Sequence, residues 1–296
     1  MRRYDHIADV EAFAAVAEHG SFTSGAVALA TTASVLSRAV ARLERRLGAQ
    51  LIRRTTRRLS LTDDGRAYLE QVRGAFALID DAERALGGQA GSLSGRVRLS
   101  VATTYGHYRL PQKLARFAAA HPDVNVEVNI ANRNVDLIAE GFDIAIRAGQ
   151  LPDSGLIGRK LEDARFSLVA APDYLSRSGA PASLDDLVRH VCLPFVMPST
   201  GRPIPWLFSM DGQDVDWIPS GPIQVQDDVL GVVSLARAGV GICQTYDFIV
   251  AEHIARGELI KLLPQYDGRT RPFSVVYAPH RNLPAATRAF VEALVE

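Results

Sequence analysis

The chain has 296 residues, of which 47% are hydrophobic and 22% are charged, and its 33 basic residues balance its 33 acidic ones. This composition excludes a globally disordered protein and a disulfide-rich scaffold, because the two cysteines, Cys192 and Cys243, are far apart and have no metal-binding or redox spacing. The length predicts two or three domains, and the sequence shows neither a signal peptide nor an apolar run long enough to span a membrane, which predicts a cytoplasmic protein.

The neutral total hides an uneven distribution of charge. Residues 1–62 contain ten arginines, no lysine and five acidic residues, so this segment carries +5. The remaining 23 basic and 28 acidic residues give −5. A basic segment joined to an acidic body is typical of a nucleic-acid-binding domain fused to a second domain. A chance distribution of charge would give the same totals. The positions of the arginines on the helices therefore have to decide between chance and a nucleic-acid-binding segment.

Three helices are predicted in the first fifty residues. Residues 7–20 have apolar side chains at helical spacing and end on a glycine. Thr23 or Ser21 caps a short second helix, and Thr32 or Ser34 caps a third, which ends at a second glycine. The apolar stripe of the third helix consists of Val35, Leu36, Ala39, Val40, Leu43 and Leu47. Outside it lie Ser34, Ser37, Arg38, Ala41, Arg42, Arg45 and Arg46. This order of helices, with a basic face on the third, predicts a helix-turn-helix.

A wing and a long helix follow. Residues 50–54 and 57–61 are two extended pieces joined through Thr55 and Thr56, which predicts a basic hairpin. Thr62 and the two acids after it cap a helix that runs to about Leu86. Its apolar stripe, with heptad-like spacing, is Leu69, Val72, Phe76, Ile79 and Leu86. Such a stripe can pack on its own domain, but the spacing favours a dimer seam. The glycine-rich residues 87–95 predict a flexible linker.

The rest of the chain alternates strands and helices, which predicts an α/β fold with a mostly parallel sheet. The predicted strands are 97–102, 124–130 and 144–148, and the predicted helices are 107–120 and 135–140. A second α/β unit runs from about Phe166 to Leu263, and a late strand at 273–278 and a helix at 285–295 return to the first. Two lobes joined by crossing strands enclose a cleft.

Motifs of catalysis are missing from the sequence. It contains no Gly-x-Ser-x-Gly, no phosphate-binding glycine loop and no His-Glu-x-x-His, and its seven histidines have no ligand spacing. We therefore predict that the protein is not an enzyme and has neither a cofactor nor a metal site.

Long stretches of the sequence resemble the LysR-type transcriptional regulators. In the N-terminal part the resemblance is carried by FAAVAEHGSFT, LSRAVARLERRLG, LIRRTTRR and LTDDG. It continues through FAAAHPDV, DLIAEGFDIAIR, AAPDYL and AGVGI, so it covers essentially the whole chain. One departure concerns base recognition: where many members have a glutamine that contacts a base, this chain has Ala33.

The resemblance implies an α/β protein overall, with a mostly α winged helix-turn-helix, a linker helix and a two-lobed effector domain like that of periplasmic binding proteins. The corresponding divisions are residues 1–62, 63–88, a flexible 89–95 and 96–296. Within the last, lobe I is about 96–164 with 268–296, and lobe II is about 165–267. Members bind promoter double-stranded DNA, respond to a small molecule that is often a carboxylate, and form dimers and usually tetramers. RNA polymerase is a candidate further partner.

The expected DNA contacts lie on the third helix and the wing. Ala33, Ser34, Ser37 and Arg38 form the expected base-edge group, and Arg38 matches the Ser-Arg position of the family. Arg42, Arg45 and Arg46 are expected to contact phosphates or to pair with Glu44 or Asp9. The expected wing contacts are Arg53, Arg54, Thr55, Thr56, Arg57 and Arg58. For any one arginine the alternative is an ordinary solvated charge.

The expected effector contacts are spread over both lobes. Thr103 and Thr104 follow a strand and begin a helix, where hydroxyl and N–H groups can bind an anion, although they can also serve only as caps. The further candidates are Asn132, Ser199, Thr200, Asp227 and Thr245. Arg147 can face the cleft or form a structural ion pair with Asp143. The alternative to an effector-responsive regulator is a constitutive DNA-binding or nucleoid-type protein.

Overall fold

The structure is a computed structural model that describes residues 6–54, 59–86, 93–150, 155–279 and 283–296. The described residues divide into two compact units. The first draws on 1–93, 136–143 and 280–288, and the second on 94–135, 144–279 and 289–296. Each unit has its own buried core.

The three predicted N-terminal helices are present, as α1 (Ile7–His19), α2 (Phe22–Ala28) and α3 (Ala33–Leu47). Side-chain caps begin two of them: the Ser21 hydroxyl accepts a hydrogen bond from the Ser24 N–H at 2.9 Å, and the Thr32 hydroxyl accepts one from the Val35 N–H at 3.3 Å. Glycines in the left-handed region end α1 and α3. The three helices share a core that includes Phe13, Val16, Leu36, Val40 and Leu43.

The predicted hairpin and long helix follow as β1 (Ile52–Arg54), β2 (Leu59–Leu61) and α4 (Asp63–Leu86). β1 and β2 pair antiparallel. On α4, Leu69 and Val72 are buried in the core of the helix-turn-helix, and Phe76 is partly buried against it. Ile79, further along, is 43% exposed. The first half of the predicted dimer stripe therefore packs on its own domain, the alternative that the spacing left open.

The second unit is mixed α/β. Its strands are β3 (Gly95–Val101), β4 (Val124–Ile130), β5 (Ile144–Ala148), β6 (Ile157–Ala170), β7 (Val196–Met197), β8 (Arg202–Pro203), β9 (Trp206–Met210), β10 (Gln213–Trp217), β11 (Cys243–Tyr246), β12 (Ile260–Leu262) and β13 (Thr270–Tyr277). The helices after α4 are α5 (Thr103–Tyr108), α6 (Leu110–Ala120), α7 (Leu137–Glu140), α8 (Pro172–Ser178), α9 (Leu230–Arg237), α10 (Asp247–Ala255) and α11 (Ala285–Val295), of which α7 and the start of α11 belong to the first unit.

The main sheet is mixed, so the prediction of a mostly parallel sheet is wrong. Its order is β11-β6-β13-β5-β3-β4, with β12 also on β6. Only β3–β4 and β3–β5 pair parallel among the described strands of this sheet, and the other pairings are antiparallel. The physical reason is that β6 and β13 are the crossing strands: residues 157–165 of β6 pair with β13, and residues 166–170 pair with β11 and β12. A strand that crosses and one that returns must run in opposite directions.

Two boundaries also differ from the prediction. The helix expected over 107–120 is two helices, α5 and α6, because Pro111 in the first turn of α6 lacks an N–H and favours a new helix start. β13 begins at Thr270, three residues before the predicted strand. Within the described residues no single helix has the length and hydropathy to cross a membrane; α2 and α3, bent by 104°, pass only when taken together.

Candidate DNA-binding surface and ligand cavity

One face of α3 is exposed and basic. Ser34, Arg38, Arg42 and Arg45 of the predicted set are exposed, whereas Ala33 and Ser37 are half-buried. Their helix is held from behind by its buried residues, so its exposed face is presented on a rigid element. An exposed basic helix that follows a short polar turn, here Thr31 and Thr32, has the form that enters a DNA major groove.

The arginines of this face differ in what they contact. Arg42 pairs with Asp9 of α1: its Nη2 lies 2.5 Å from Asp9 Oδ1 and its Nε lies 3.2 Å from Oδ2. Hydrogen bonding to Asp9 raises the pKa of Arg42 above its usual value. Among the described residues, the Nε groups of Arg38 and Arg45 donate to carbonyls of their own helix, at 3.4 and 3.3 Å. Of the alternatives left open for Arg42, the structure shows the pair with Asp9.

The wing is fastened to α3 and α4 by two side chains. Glu44 Oε1 accepts hydrogen bonds from the N–H groups of Leu51 and Ile52, at 2.9 and 3.1 Å. The Thr62 hydroxyl donates to the Gln50 carbonyl at 2.6 Å and accepts from the Gly65 N–H at 2.9 Å, which caps α4 as predicted. These bonds fix where the hairpin leaves the helical core. Sequence inspection did not identify Glu44 in this role.

The predicted wing contacts are only partly described. Arg53 is exposed on β1, and Arg54 ends that strand. Thr55, Thr56, Arg57 and Arg58 lie outside the described residues. Their role in DNA binding stays a prediction.

A cavity of about 180 Å³ lies in the second unit. Much of its wall is apolar or aromatic: Phe166, Leu193, Phe195, Ile204, Trp206, Val232 and Tyr246. The polar side chains of the wall include Thr104, Asn132, Asn134, Ser199, Gln244 and Thr245. A mostly apolar wall with a few polar groups is the usual form of a small-molecule site.

Four of the seven predicted effector residues line this cavity. Thr104 and Thr245 do so from buried positions, and Asn132 and Ser199 from more open ones. The remaining three are not among the lining residues, although two of them touch Asn132. Asn132 Oδ1 accepts from the Thr103 N–H at 3.1 Å, and Asn132 Nδ2 donates to the Asp227 carbonyl at 2.9 Å.

Thr200 is the predicted residue with a different local role. Its hydroxyl accepts from the Arg202 N–H at 3.3 Å, and its own N–H donates to the Met197 carbonyl at 3.2 Å. These bonds form the turn between β7 and β8. The neighbouring Met197, Pro198 and Ser199 supply the part of this turn that lines the cavity.

Two arginines face the same cavity. Arg147 Nη2 donates to the Ser100 hydroxyl at 2.7 Å and its Nη1 donates to the Ile146 carbonyl at 2.9 Å. Arg271 lies over the ring of Phe166, 5.4 Å from its centroid. Burial raises the pKa of the neighbouring Tyr246, and the charge of Arg271 acts to lower it. The lining, all of it within the described residues, contains no acidic side chain. The described lining therefore presents two guanidinium groups and no carboxylate.

Sequence analysis missed Arg271 because the strand was predicted to begin at Phe273. In the sequence Arg271 is marked only by its position just before the apolar residues of a strand, and arginines in that position are too common to indicate a ligand site. The stacked rings of Phe166 and Tyr246, with centroids 4.8 Å apart, and the pair Trp206 and Trp217, 5.2 Å apart, were also not predicted. Phe166 and Tyr246 are far apart in the sequence, whereas Trp206 and Trp217 face each other across the β9–β10 hairpin.

Comparison with known proteins identifies the family. Residues 7–66 match the model described as bacterial regulatory helix-turn-helix protein, lysR family, and residues 90–296 match the LysR substrate binding domain. The chain belongs to the LysR family of transcriptional regulators. The predicted fold class, with a DNA-binding helix-turn-helix and an effector domain, is thereby confirmed.

Relatives of this LysR-type chain include a protein named as a repressor and one named as an activator. An HTH-type transcriptional repressor of Pseudomonas aeruginosa is 32% identical over 99% of this chain and 92% of its own length. The HTH-type transcriptional activator AaeR of Escherichia coli is 32% identical over 96% of this chain and 91% of its own. The solved structure of CrgA, a LysR-type regulator from Neisseria meningitidis, has a TM-score of 0.60 and 33% identity, and the match covers 98% of this chain and 99% of that one.

Proposed function

We propose that this LysR-type regulator changes its binding to promoter DNA when a small anionic molecule, such as a carboxylate, occupies the cavity of the effector domain. The observation that carries the proposal is the pair Arg147 and Arg271 in a cavity whose described lining has no acid. A ligand of opposite charge is stabilised there because the surrounding wall is largely apolar and screens charge less than water does.

Arg271 is the main anion-binding group in this proposal. Arg147 already donates to Ser100 and to its neighbouring carbonyl, so part of its hydrogen-bonding capacity is used. Arg271 has no acidic partner among the described residues and rests against Phe166 and Tyr246. Thr104 and Thr245 add two hydroxyl groups to the same wall. Together they can hold the two oxygens of a carboxylate.

The volume of the cavity limits the body of the ligand. About 180 Å³ is slightly more than the roughly 150 Å³ that holds benzene in a dry engineered cavity. Four aromatic side chains, Phe166, Phe195, Trp206 and Tyr246, contribute to the wall. Benzoate, with its one ring and one carboxylate, is therefore a suitable probe of the class, and benzamide is its uncharged counterpart of similar shape.

The tryptophans provide the measurement. The chain has two, Trp206 in the cavity wall and Trp217 packed against it, so ligand binding should change the intrinsic fluorescence. We expect benzoate to bind at least about tenfold more tightly than benzamide, which corresponds to one charge-assisted hydrogen bond. Arg271→Gln should remove this preference, and Arg202→Gln, an exposed arginine of β8 outside the lining, should keep it. Equal binding of the two probes to the unmodified protein would contradict an anion site.

The DNA-binding half of the proposal rests on the exposed face of α3. Ala33, Ser34, Ser37 and Arg38 are proposed to lie at base edges, with Arg45 and the wing residues on phosphates and Arg42 shared with Asp9. The domain divisions at residues 62, 88 and 95 belong to this proposal. So do dimerisation through α4, a tetrameric assembly, contact with RNA polymerase, and a cytoplasmic location on the nucleoid. Catalysis has no place in it, and the matched families and relatives are regulators.

A further inference from the structure

Val35 is exposed in a helix whose other central apolar residues are buried. Its exposed fraction is 42%, whereas those of Leu36, Ala39, Val40 and Leu43 are 4% or less. The apolar spacing of the sequence placed Val35 in the buried stripe, and the structure shows that this assignment is wrong. Valine is also a poorer helix former than alanine, so neither the core nor the helix requires it at this position.

The surroundings of Val35 are those of the proposed DNA-reading face. It lies in the first turn of α3, next to Ser34 and three residues before Arg38, and residues three or four apart on a helix are neighbours on its surface. Arg42 continues the same row. An apolar side chain among exposed arginines would be a poor contact for another protein's apolar surface, because the guanidinium groups would have to lose water as well. A polyanion with apolar groups of its own fits both features.

DNA offers such a group in the major groove. The C5 methyl of thymine projects there beside the hydrogen-bonding edges of the bases, and apolar side chains contact it. We propose that Val35 recognises a thymine by contact with this methyl group, beside the base read by Arg38. The inference rests on the proposed placement of the first turn of α3 in the major groove. It assigns a specificity role to a residue other than the polar and basic groups of that face.

Removal of the thymine methyl group tests the contact directly. The full-length protein is first used to select its preferred duplex from a random library, and each thymine of that duplex is then replaced singly by deoxyuridine. We expect one thymine in each bound half-site at which deoxyuridine weakens binding about fourfold, the effect of exposing one buried methyl-sized group. Val35→Ala should bind the thymine and deoxyuridine duplexes equally at that position.

A matched variant separates this role from a general effect of losing a valine. Val27 on α2 is 79% exposed, and Val27→Ala should keep the fourfold difference at the same thymine. Because both substitutions are at exposed helical positions, thermal unfolding should confirm that both variants fold.

Two results would overturn the inference: no thymine at which the unmodified protein is sensitive to the methyl group, or a sensitivity that Val35→Ala retains. Arg38→Ala distinguishes this from failure of the underlying proposal. If Arg38→Ala weakens binding to the selected duplex more than binding to random DNA while the methyl groups have no effect, α3 reads bases but Val35 does not. If Arg38→Ala weakens binding to the selected and the random duplex equally, Arg38 contacts phosphate, and the proposed placement of the first turn of α3 at the base edges is wrong.

Discussion

At the scale of single residues, the arginines of α3 have different partners and should have different effects on DNA binding. Arg42 is paired with Asp9, whereas the Arg38 guanidinium, as far as the described part of the chain shows, donates one long bond, to the carbonyl of Ser34. We predict that Arg38→Ala weakens binding to a specific duplex by about 1–3 kcal/mol, the value of a bidentate contact to guanine, and weakens binding to random DNA much less. Fluorescence anisotropy with the two duplexes at one salt concentration measures both. Equal losses would make Arg38 a phosphate contact.

The two cysteines are a second test at this scale. Burial raises the pKa of both Cys192 and Cys243 from the usual 9.0 to about 12. The thiols therefore stay protonated in the folded protein at pH values where the unfolded chain loses their protons. Their contribution to stability is fully present below pH 9 and is lost as the pH rises toward 12. Scarcity of the thiolate at neutral pH also argues against a thiol-based switch.

The measurable consequence of the raised thiol pKa values is the slope of the free energy of unfolding against pH. Between pH 9 and pH 10 each thiol should lower the free energy of unfolding by up to about 1.4 kcal/mol per pH unit. Urea unfolding of the unmodified protein and of the Cys192→Ala/Cys243→Ala variant gives the two slopes, and the variant should have the shallower one. Tyrosine ionisation is common to both proteins and cancels in the comparison. Identical slopes would show that the thiols ionise normally in the fold.

At the scale of the elements, α4 approaches the wing so closely that it needs a glycine. A Cβ atom on Gly65 would lie 2.0 Å from the carbonyl oxygen of the buried Leu51. The same helix offers a control, because a Cβ on Gly74 would have no heavy atom within 4 Å. We predict that Gly65→Ala lowers the free energy of unfolding by about 1–3 kcal/mol, through overpacking against backbone. Gly74→Ala should raise it by up to about 1 kcal/mol, through helix propensity.

Urea unfolding of the two variants compares the same substitution in one helix. Gly65→Ala should also displace the wing as it lowers the stability, because Gly65 and Leu51 lie at the base of the hairpin. Thr62 hydrogen-bonds both to Gly65 and to Gln50 there. DNA affinity should therefore fall in Gly65→Ala and stay unchanged in Gly74→Ala. Similar stabilities for the two variants would mean that the close approach of α4 to Leu51 is not maintained in solution.

Elements whose boundaries depend on local chemistry could be predicted from the sequence. The hydroxyl caps Thr32 and Thr62 and the terminal glycines Gly20 and Gly48 are such cases, and β4 and β5 have the predicted bounds. Strand direction could not be predicted, because the pairing of β6 with β13 joins distant parts of the chain. The charged first half of β6 also hides its apolar alternation.

The cavity illustrates the same limit at the level of the site. The end of a predicted strand directly before a helix pointed to Thr104, because strand ends are where such cavities form. Asn132, Ser199 and Thr245 were predicted only as positions that face between the two lobes. Arg271 and the aromatic wall come together only through the crossing strands. On α3, the periodicity assigned Val35 to the core, since a stripe read from spacing does not show where the packing partners end.

At the scale of the whole molecule, a basic segment and an acidic remainder are combined in one regulator. Residues 1–62 carry +5 and the rest −5 at neutral pH, so DNA should attract the first part and repel the second. The cavity is an exception within the acidic part, because its described lining includes Arg147 and Arg271 and no acidic residue. In the proposed function, DNA binds the basic N-terminal segment and the anionic ligand binds at the two arginines of the cavity, so the two binding sites are separate. Ligand binding then alters DNA binding only by its differential affinity for the states of the assembly.

The most direct test of this account is a footprint of the purified full-length protein on the DNA upstream of its own gene, with and without the carboxylate that binds most tightly in the tryptophan titration. We predict a sequence-specific footprint whose extent or half-saturation changes with the carboxylate. Arg271→Gln should keep the footprint and lose the response. No footprint, or one indifferent to DNA sequence, would contradict the DNA-binding proposal, and a specific footprint that no cavity-binding carboxylate alters would instead indicate a constitutive DNA-binding protein.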